Sequence, residues 1–376
     1  MQIRVYESFE EALVPWRQLV PHAAFLTPFL KPDWSLTWWK NFCVDGAKTG
    51  VTYSLHIIVA YVDERPIALA PFYYVSSHEG SVSELRLIGD LGRDEGLTEA
   101  PIVIWDNDYQ DVATQAILDH VRTDTGRNWD VAKVRWQTYG EVEEETTRGP
   151  LFHKTVVEPG RQVVLLPDTY KAYRASLSRS MRKKLAYYPQ RLDKKGCSWS
   201  VRFLVDPTEV RDAVDDLVAL HRARALSRRG PSHLNHFPYD SQKNFLKDML
   251  YQLATRKEAC MAILEVDGKA VATQCVLRSE NEIILYYSGF DPAWYDYSPL
   301  TILLAAIIER GIGEGCTRLN FLFALAPWKR RWNAITETTI HIDYQVALRP
   351  ISLWRVARAG FGHFLTDRLA QEQPHD

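Results

Sequence analysis

Apolar and polar positions along the chain switch between a period near two and a period near 3.6, and the switches predict its elements. Ile3–Tyr6 reads as a strand and Phe9–Val20 as an amphipathic helix. In Phe29–Phe42, Trp34, Trp38 and Phe42 fall four apart, which is one helical face and reads as core packing. His56–Val62 and Ile67–Tyr74 are strands joined by Asp63-Glu64-Arg65-Pro66, a hairpin by its turn residues. Leu85–Ile88, Ile102–Trp105 and Val131–Trp136 read as strands, and Asp111–Arg122 as a helix. The acidic run Glu141, Glu143, Glu144, Glu145 reads as a solvated loop.

A second series follows. Val163–Leu166 predicts a strand, then come a basic helix, a strand at Ser198–Leu204, a helix from Glu209 to about Arg228 and another at Ser241–Thr255. Ala259–Val266 and Ala270–Leu277 form a hairpin about Asp267-Gly268-Lys269. That unit echoes the earlier one, strand, acidic turn, strand, so the pattern implies two copies of one α/β unit with a boundary near 150–170. The series closes on a strand (Glu282–Ser288), an aromatic loop, a helix opening at Ser298-Pro299 and a strand (Arg318–Phe323). Ser298 is expected to be the N-cap and Pro299 the first helical residue, with Gly311, Gly313 and Gly315 ending the helix. A helix N-terminus placed after a strand suits an anion such as a pyrophosphate.

Composition narrows the classes. At 376 residues the chain has room for about two domains, and 46% hydrophobic with 24% charged residues is ordinary globular content. A formal net charge of −2 gives no global argument for nucleic acid, so electrostatic partners must be read from local clusters. Five cysteines are scattered singly without a C-x-x-C pair, the usage of reduced core thiols. The N-terminus is charged from its start without an apolar signal core, and the longest apolar run, Leu300–Ile308, is too short to span a bilayer. A cytoplasmic protein is therefore expected.

Several motifs match in letter only. Arg310-Gly311-Ile312-Gly313-Glu314-Gly315 fits the R-x-x-G-x-G pattern that cradles a pyrophosphate in many acetyltransferases, but these glycines end a helix instead of opening one. Arg93–Thr98 fails likewise, because a strand follows it. There is no G-x-S-x-G, H-E-x-x-H or P-loop, and His233 and His236 lack an acidic or cysteine partner close by, so no metal is expected. Lys171–Lys195 carries nine Lys/Arg against one acid over an apolar seam of Tyr173, Leu177, Met181 and Leu185. A cationic helix seated this way suits phosphate groups, on a nucleotide-linked substrate, on coenzyme A or on tRNA.

Taken in order, LHRARALSRRGPS (Leu220–Ser232), YYSGFDPAWYDYSP (Tyr286–Pro299) and APWKRRWN (Ala326–Asn333) resemble the CelD/BcsL group of acetyltransferase-like proteins of the GNAT superfamily, found with cellulose and exopolysaccharide genes. Ser176–Gly196 is similar to the corresponding helix of the Fem aminoacyltransferases, which are tandem GNAT folds, and FLKPDWSLTWWKNF is similar to that family's opening segment. The resemblance spans about residues 29–335. It implies an α/β chain of two tandem GNAT-like domains, each a mixed, mainly antiparallel sheet flanked by helices, at 1–165 and 166–350, with an amphipathic tail at 351–376.

The activity implied is N-acyl transfer, with acetyl- or acyl-coenzyme A as cosubstrate and no metal. The acceptor would be a small-molecule amine, such as an amine-bearing sugar or nucleotide-sugar precursor, in exopolysaccharide synthesis. Donor contacts would come from Tyr297, Ser298, Leu300 and Thr301; Leu300 stands where family members carry a glycine. Asp291 and Tyr297 are the candidates for proton transfer, and a backbone N–H of Glu282–Ser288 the oxyanion donor. Tyr287 and Gln274 are groove candidates, with the strand register deciding between Tyr286 and Tyr287. Arg179 and Lys183 would meet substrate phosphates, and Lys329, Arg330 and Trp332 form a cationic, aromatic lid. The alternatives are a Fem-like enzyme using aminoacyl-tRNA and a non-catalytic partner of a polysaccharide synthase, peripheral to the membrane; the tail is expected to pack on the body.

Overall fold

The structure, a computed structural model, describes residues 1–23, 27–43, 51–77, 83–91, 96–99, 101–123, 129–138, 152–157, 160–230, 232–323, 326–337 and 340–347. The acidic run at 141–145, the tail beyond 350 and Arg93–Glu95 lie outside them.

The first series comprises β1 (Gln2–Tyr6), α1 (Phe9–Leu19), α2 (Pro32–Phe42), β2 (Val51–Val62), β3 (Arg65–Ser77), β4 (Glu84–Leu87), β5 (Ile104–Trp105), α3 (Gln110–Thr123), β6 (Val131–Thr138) and β7 (Phe152–Val157). The second runs β8 (Arg161–Leu165), α4 (Tyr170–Ser176), α5 (Arg179–Lys195), β9 (Trp199–Leu204), α6 (Pro207–Asp212), α7 (Val214–Leu226), α8 (Asp240–Thr255), β10 (Ala259–Val266), β11 (Lys269–Ser279), β12 (Glu282–Phe290), α9 (Pro299–Gly313) and β13 (Arg318–Asn320), then β14 (Ile335–Glu337) and β15 (Ile340–Ala347).

These make two mixed sheets, eight strands in one and seven in the other, flanked by helices. Both expected hairpins form. Their two-residue turns place Asp63 and Glu64, and Asp267 and Gly268, at positive φ, the twist that joins neighbouring antiparallel strands. Two strands lie across the division expected at 165/166: β8 pairs with β13 and β14 in the second sheet, and β15 pairs with β6 and β7 in the first.

Local chemistry explains where helices depart from the sequence pattern. The basic stretch divides at Leu177, because the Ser178 hydroxyl accepts from Met181 N–H and starts a new helix, α5. Arg182 then donates to the carbonyls of Ala175 and Leu177, covering the end of α4. The helix expected over 209–228 is likewise two, α6 being opened by Asp206 and Pro207.

Two apolar clusters hold the layers. One lies around α4, α5 and α9 on one face of the second sheet. The other is continuous from the first sheet through α2 to α7 and α8 on the opposite face of the second. Trp34 and Trp38, fully buried, form the junction as the helical face predicted. Trp34 meets Phe245 of α8 edge-on at 5.3 Å between ring centroids and Tyr286 of β12 at 5.9 Å. Lys31 pairs with Glu258 at 2.6 Å across the same junction.

Candidate functional site

The site begins with a divergence of two strands. β12 and β13 run parallel, but only Glu282–Ile284 and Arg318–Asn320 are paired. Beyond Asn320 the chain turns toward β8: Phe321 N–H donates to Gln162 O at 2.9 Å, Gln162 N–H to Leu322 O at 3.3 Å, and Leu322 adopts φ 59°. Asn320 Oδ1 accepts from Leu322 N–H and fixes that bend. β12 continues to Phe290, so a wedge opens between its last residues and Phe321–Phe323.

β12 is irregular where the wedge opens. Its pairing with β11 steps from Val276↔Leu285 to Gln274↔Ser288, placing Tyr286 and Tyr287 opposite the single residue Cys275. Gln274 spans this bulge, its amide donating to the carbonyls of Cys275 and Tyr287 at 2.9 and 3.1 Å. The two tyrosines stay in contact across the bulge, their ring centroids 4.3 Å apart, but reach different neighbours. Tyr286 enters the Trp34 junction, while Tyr287 packs on Phe237 and His236, at 5.0 and 5.4 Å between centroids.

A loop from the first half closes on this bulge. Trp38 Nε1 donates to Gly96 O at 2.7 Å, Trp34 Nε1 to Thr98 Oγ1 at 2.9 Å, and Tyr286 Oη to Leu97 O. Leu97 sits at φ 56°, and a Cβ on Gly96 would collide with the Gly89 carbonyl, so the loop is held in a conformation few sequences adopt. It presents Glu99.

Burial pushes the Glu99 carboxyl up to about 7, partly offset by the ammonium of Lys329. Tyr286 and Tyr287 feel the Glu99 charge as well, and burial raises both well above the ordinary phenol value. Lys329 is buried, 6% exposed, donates to the carbonyls of Phe321 and Phe323 at 3.1 Å each, and is lowered to about 8 by desolvation. One carboxyl and one ammonium, each shifted toward neutrality, therefore meet at the strand divergence. Glu99 escaped the sequence reading because its loop has no motif; the only pointer was the pair Trp34 and Trp38, read as core.

The expected residues divide between this wedge and the other side of α9. Tyr287 and Gln274 lie at the bulge. Asp291 Oδ1 accepts from Ala293 N–H and opens the short turn Pro292–Tyr297. Tyr297 lies beneath α5, with the Arg191 guanidinium 4.6 Å and the Lys195 ammonium 5.1 Å from its ring centre, and Arg191 also donates to Asp296 O. The cationic helix thus spends Arg191 and Lys195 on the aromatic turn leading into α9, while Arg179 and Lys183 remain exposed at its start.

Two expectations change. Ser298 has φ 47° and ψ 56°, and its hydroxyl makes no capping bond to α9. It ends the preceding 3-10 turn, and that left-handed conformation replaces the extended one a side-chain cap requires. Pro299 and Leu300 open the helix as expected, with Thr301 N–H donating to Ser298 O at 2.9 Å. The lid also does not form as a unit. Trp332 is buried in the second cluster, with Tyr173 Oη donating to its carbonyl at 3.0 Å, and Lys329 points inward. Arg330 alone of the three stays exposed.

On the α7 side, His221 Nδ1 and Nε2 lie 2.9 and 3.1 Å from the carbonyls of Ser288 and Leu234, and burial lowers His221 to about 4. His233 is lowered to about 3 for the same reason. Among the described residues no group of His, Cys, Asp or Glu could hold a metal, and no helix is long and apolar enough to cross a membrane.

Residues 179–330 match the family described as an acetyltransferase (GNAT) domain. No curated protein matches the chain in sequence. Among solved structures, FemX is 9% identical, with a TM-score of 0.59, over 95% of this chain and 99% of its own. A conserved protein of unknown function from Bacteroides thetaiotaomicron is 11% identical, with a TM-score of 0.50, over 91% of this chain and 99% of its own. A tandem GNAT protein from the clavulanic acid biosynthesis pathway is 8% identical, with a TM-score of 0.45, over 91% and 98%. Residues 179–330 are thus similar to an acetyltransferase (GNAT) domain, within a fold shared along nearly the whole chain with FemX.

Proposed function

We propose that the protein is an N-acyltransferase that uses a coenzyme A thioester, with Glu99 as its general base. The observation that carries this reading is Glu99 itself, raised to about 7 and pinned to the β12 bulge from the opposite half of the chain. A base of that strength is largely ionised just above neutrality and can take the proton from the amine nitrogen, which turns acidic as it attacks.

The amine nitrogen attacks the thioester carbonyl, a C–N bond forms and the C–S bond breaks. The proton released by nitrogen passes to Glu99, and coenzyme A leaves as its thiolate, which then takes a proton from Glu99 or solvent. Backbone N–H groups of β12 beyond Ile284, where its pairing with β13 has ended, face the developing oxyanion. Lys329 compensates the Glu99 charge. The donor pyrophosphate takes the positive end of α9 at Ser298, Leu300 and Thr301, where the Ser298 and Thr301 amides are bonded to Tyr295 O and Ser298 O. Asp291 and Tyr297 then position the turn into that helix, and proton transfer falls to Glu99.

The acceptor in this reading is an amine-bearing sugar or nucleotide-linked precursor of surface polysaccharide. The resemblance to CelD/BcsL proteins and the exposed Arg179, Lys183 and Arg330 support it. The protein would act at the cytoplasmic face of a synthase, its two units exchanging β8 and β15 across the 165/166 division. Acyl-coenzyme A should raise the melting temperature, and Ser298→Asp should weaken that shift by repelling phosphate; no shift with any acyl-coenzyme A would overturn the choice of donor.

A second reading has aminoacyl-tRNA as donor. The FemX-like fold over 95% of the chain and Leu300 in place of a glycine favour it. Retention on aminoacyl-tRNA that falls steeply with salt, without any coenzyme A shift, would select it.

A further inference from the structure

The R-x-x-G-x-G segment is not spent on a pyrophosphate, and the structure gives its residues another setting. Arg310, Gly311 and Glu314 line a cavity of about 510 Å³ at the end of the second sheet where β12 and β13 are paired. The transfer wedge opens beyond the other end of that pairing.

The wall is apolar, formed by Ala259, Val276, Ile283, Ile307 and Gly311, with Cys260 beside them. Gly311 lets the helix approach this closely, since a Cβ there would run into the Ile283 side chain. The mouth is cationic. Lys257, Arg278 and Arg310 stand there against one acid, Glu314. Arg310 Nε and Arg278 Nη1 each donate to a different oxygen of Glu314 at 2.6 Å, so one carboxylate is shared by two guanidiniums. A guanidinium has five N–H donors, so Arg310 retains the capacity for a second anion after this bond. Its guanidinium lies 4.5 Å from the Phe203 ring centre, which keeps it across the opening.

We propose that this cavity binds a small amphipathic carboxylate, an aliphatic acid whose chain lies on the apolar wall and whose carboxylate meets Arg310 and Lys257 at the mouth. An apolar enclosure of this size with a few convergent polar groups is the usual form of a small-molecule site. Three cations facing one acid select an anion over a neutral or cationic amphiphile. The site is separate from acyl transfer and does not depend on the reading of Glu99.

Calorimetric titration of the full chain with decanoate, decanol and decyltrimethylammonium tests this. Decanoate should bind, with decanol at least about tenfold weaker, the loss expected for one charge-assisted hydrogen bond. Arg310→Gln should weaken decanoate by about the same factor. Cys260→Trp, which places a large ring against the apolar wall where the chain would lie, should abolish binding, with the melting curve of each variant confirming that it is folded. Decanoate should also protect Cys260 from alkylation, read by peptide mass, while Cys197, outside the cavity, reacts as before. Any acetyl-coenzyme A shift should be the same in both variants as in the parent. Absence of decanoate binding, equal affinity for decanol, or binding that survives Cys260→Trp would overturn the proposal.

Discussion

Replacing Glu99 by Gln should make the protein more stable and less active at once, and pH should separate the two effects. Glu99 is raised from an ordinary glutamate value of 4.5 to about 7, so ionising it in the folded state costs about 3 kcal/mol at about 1.4 kcal/mol per unit. A carboxyl whose folded value exceeds its unfolded value costs no stability below about 4.5; the cost grows between 4.5 and 7 and is complete above 7. Gln removes that cost but also removes the partner of Lys329, itself desolvated and lowered to about 8. The net gain at pH 8 is therefore on the order of 1–3 kcal/mol, or roughly 1–4 °C in a chain of this length. Thermal unfolding of parent and variant at pH 4.5 and pH 8 measures it, and the gain should be confined to the higher pH. An equal change at both values, or destabilisation at pH 8, would refute the argument that burial raises this carboxyl.

Other consequences follow from the same contacts. Trp38→Phe removes the bond to Gly96 O, and should cost about 1 kcal/mol in chemical denaturation and lower kcat more than it raises KM, because the loop carrying Glu99 loses one of its pins. Ser298→Ala should leave stability within about 0.5 kcal/mol in the same assay, since its hydroxyl caps nothing, where a true N-cap would cost about 1 kcal/mol. Lys195→Met removes cation–π contacts to Trp294 and Tyr297 at 4.1 and 5.1 Å, and with the lysine itself exposed should lower stability by about 0.5–1 kcal/mol, seen as a reduced denaturation midpoint.

Most of the second sheet could be read directly, because β10, β11 and β12 keep continuous apolar runs and their turn carries Asp267-Gly268. The start and end of α9 were also legible in Pro299 and the glycines that follow. Ser298 was not, since a serine before proline marks a helix start without revealing whether its backbone is extended or left-handed. β15 escaped notice although Ile340, Ile342, Tyr344 and Val346 alternate, because pairing with β6 takes it out of sequence order into the first sheet. The wedge depends on Gln162 drawing Phe321 toward β8, a contact between residues far apart in the chain. Glu99 was hidden for the same reason: its value is set by burial and partly offset by Lys329 from the opposite half. Arg191 and Lys195 show the converse, a charge cluster that was legible while its partners, the rings of Trp294 and Tyr297 in place of phosphates, were not.

The central claim is that Glu99 is the base of an acyl transfer, and it is tested most directly by the pH dependence of coenzyme A release. Acetyl-coenzyme A and a panel of amino-sugar acceptors would be supplied to the parent and to Glu99→Gln. The account predicts a rate in the parent that rises through an inflection near pH 7, and a variant slower by about 100-fold or more in which that inflection is absent. A Glu99→Gln variant that keeps both the parent rate and the inflection near 7 would contradict it.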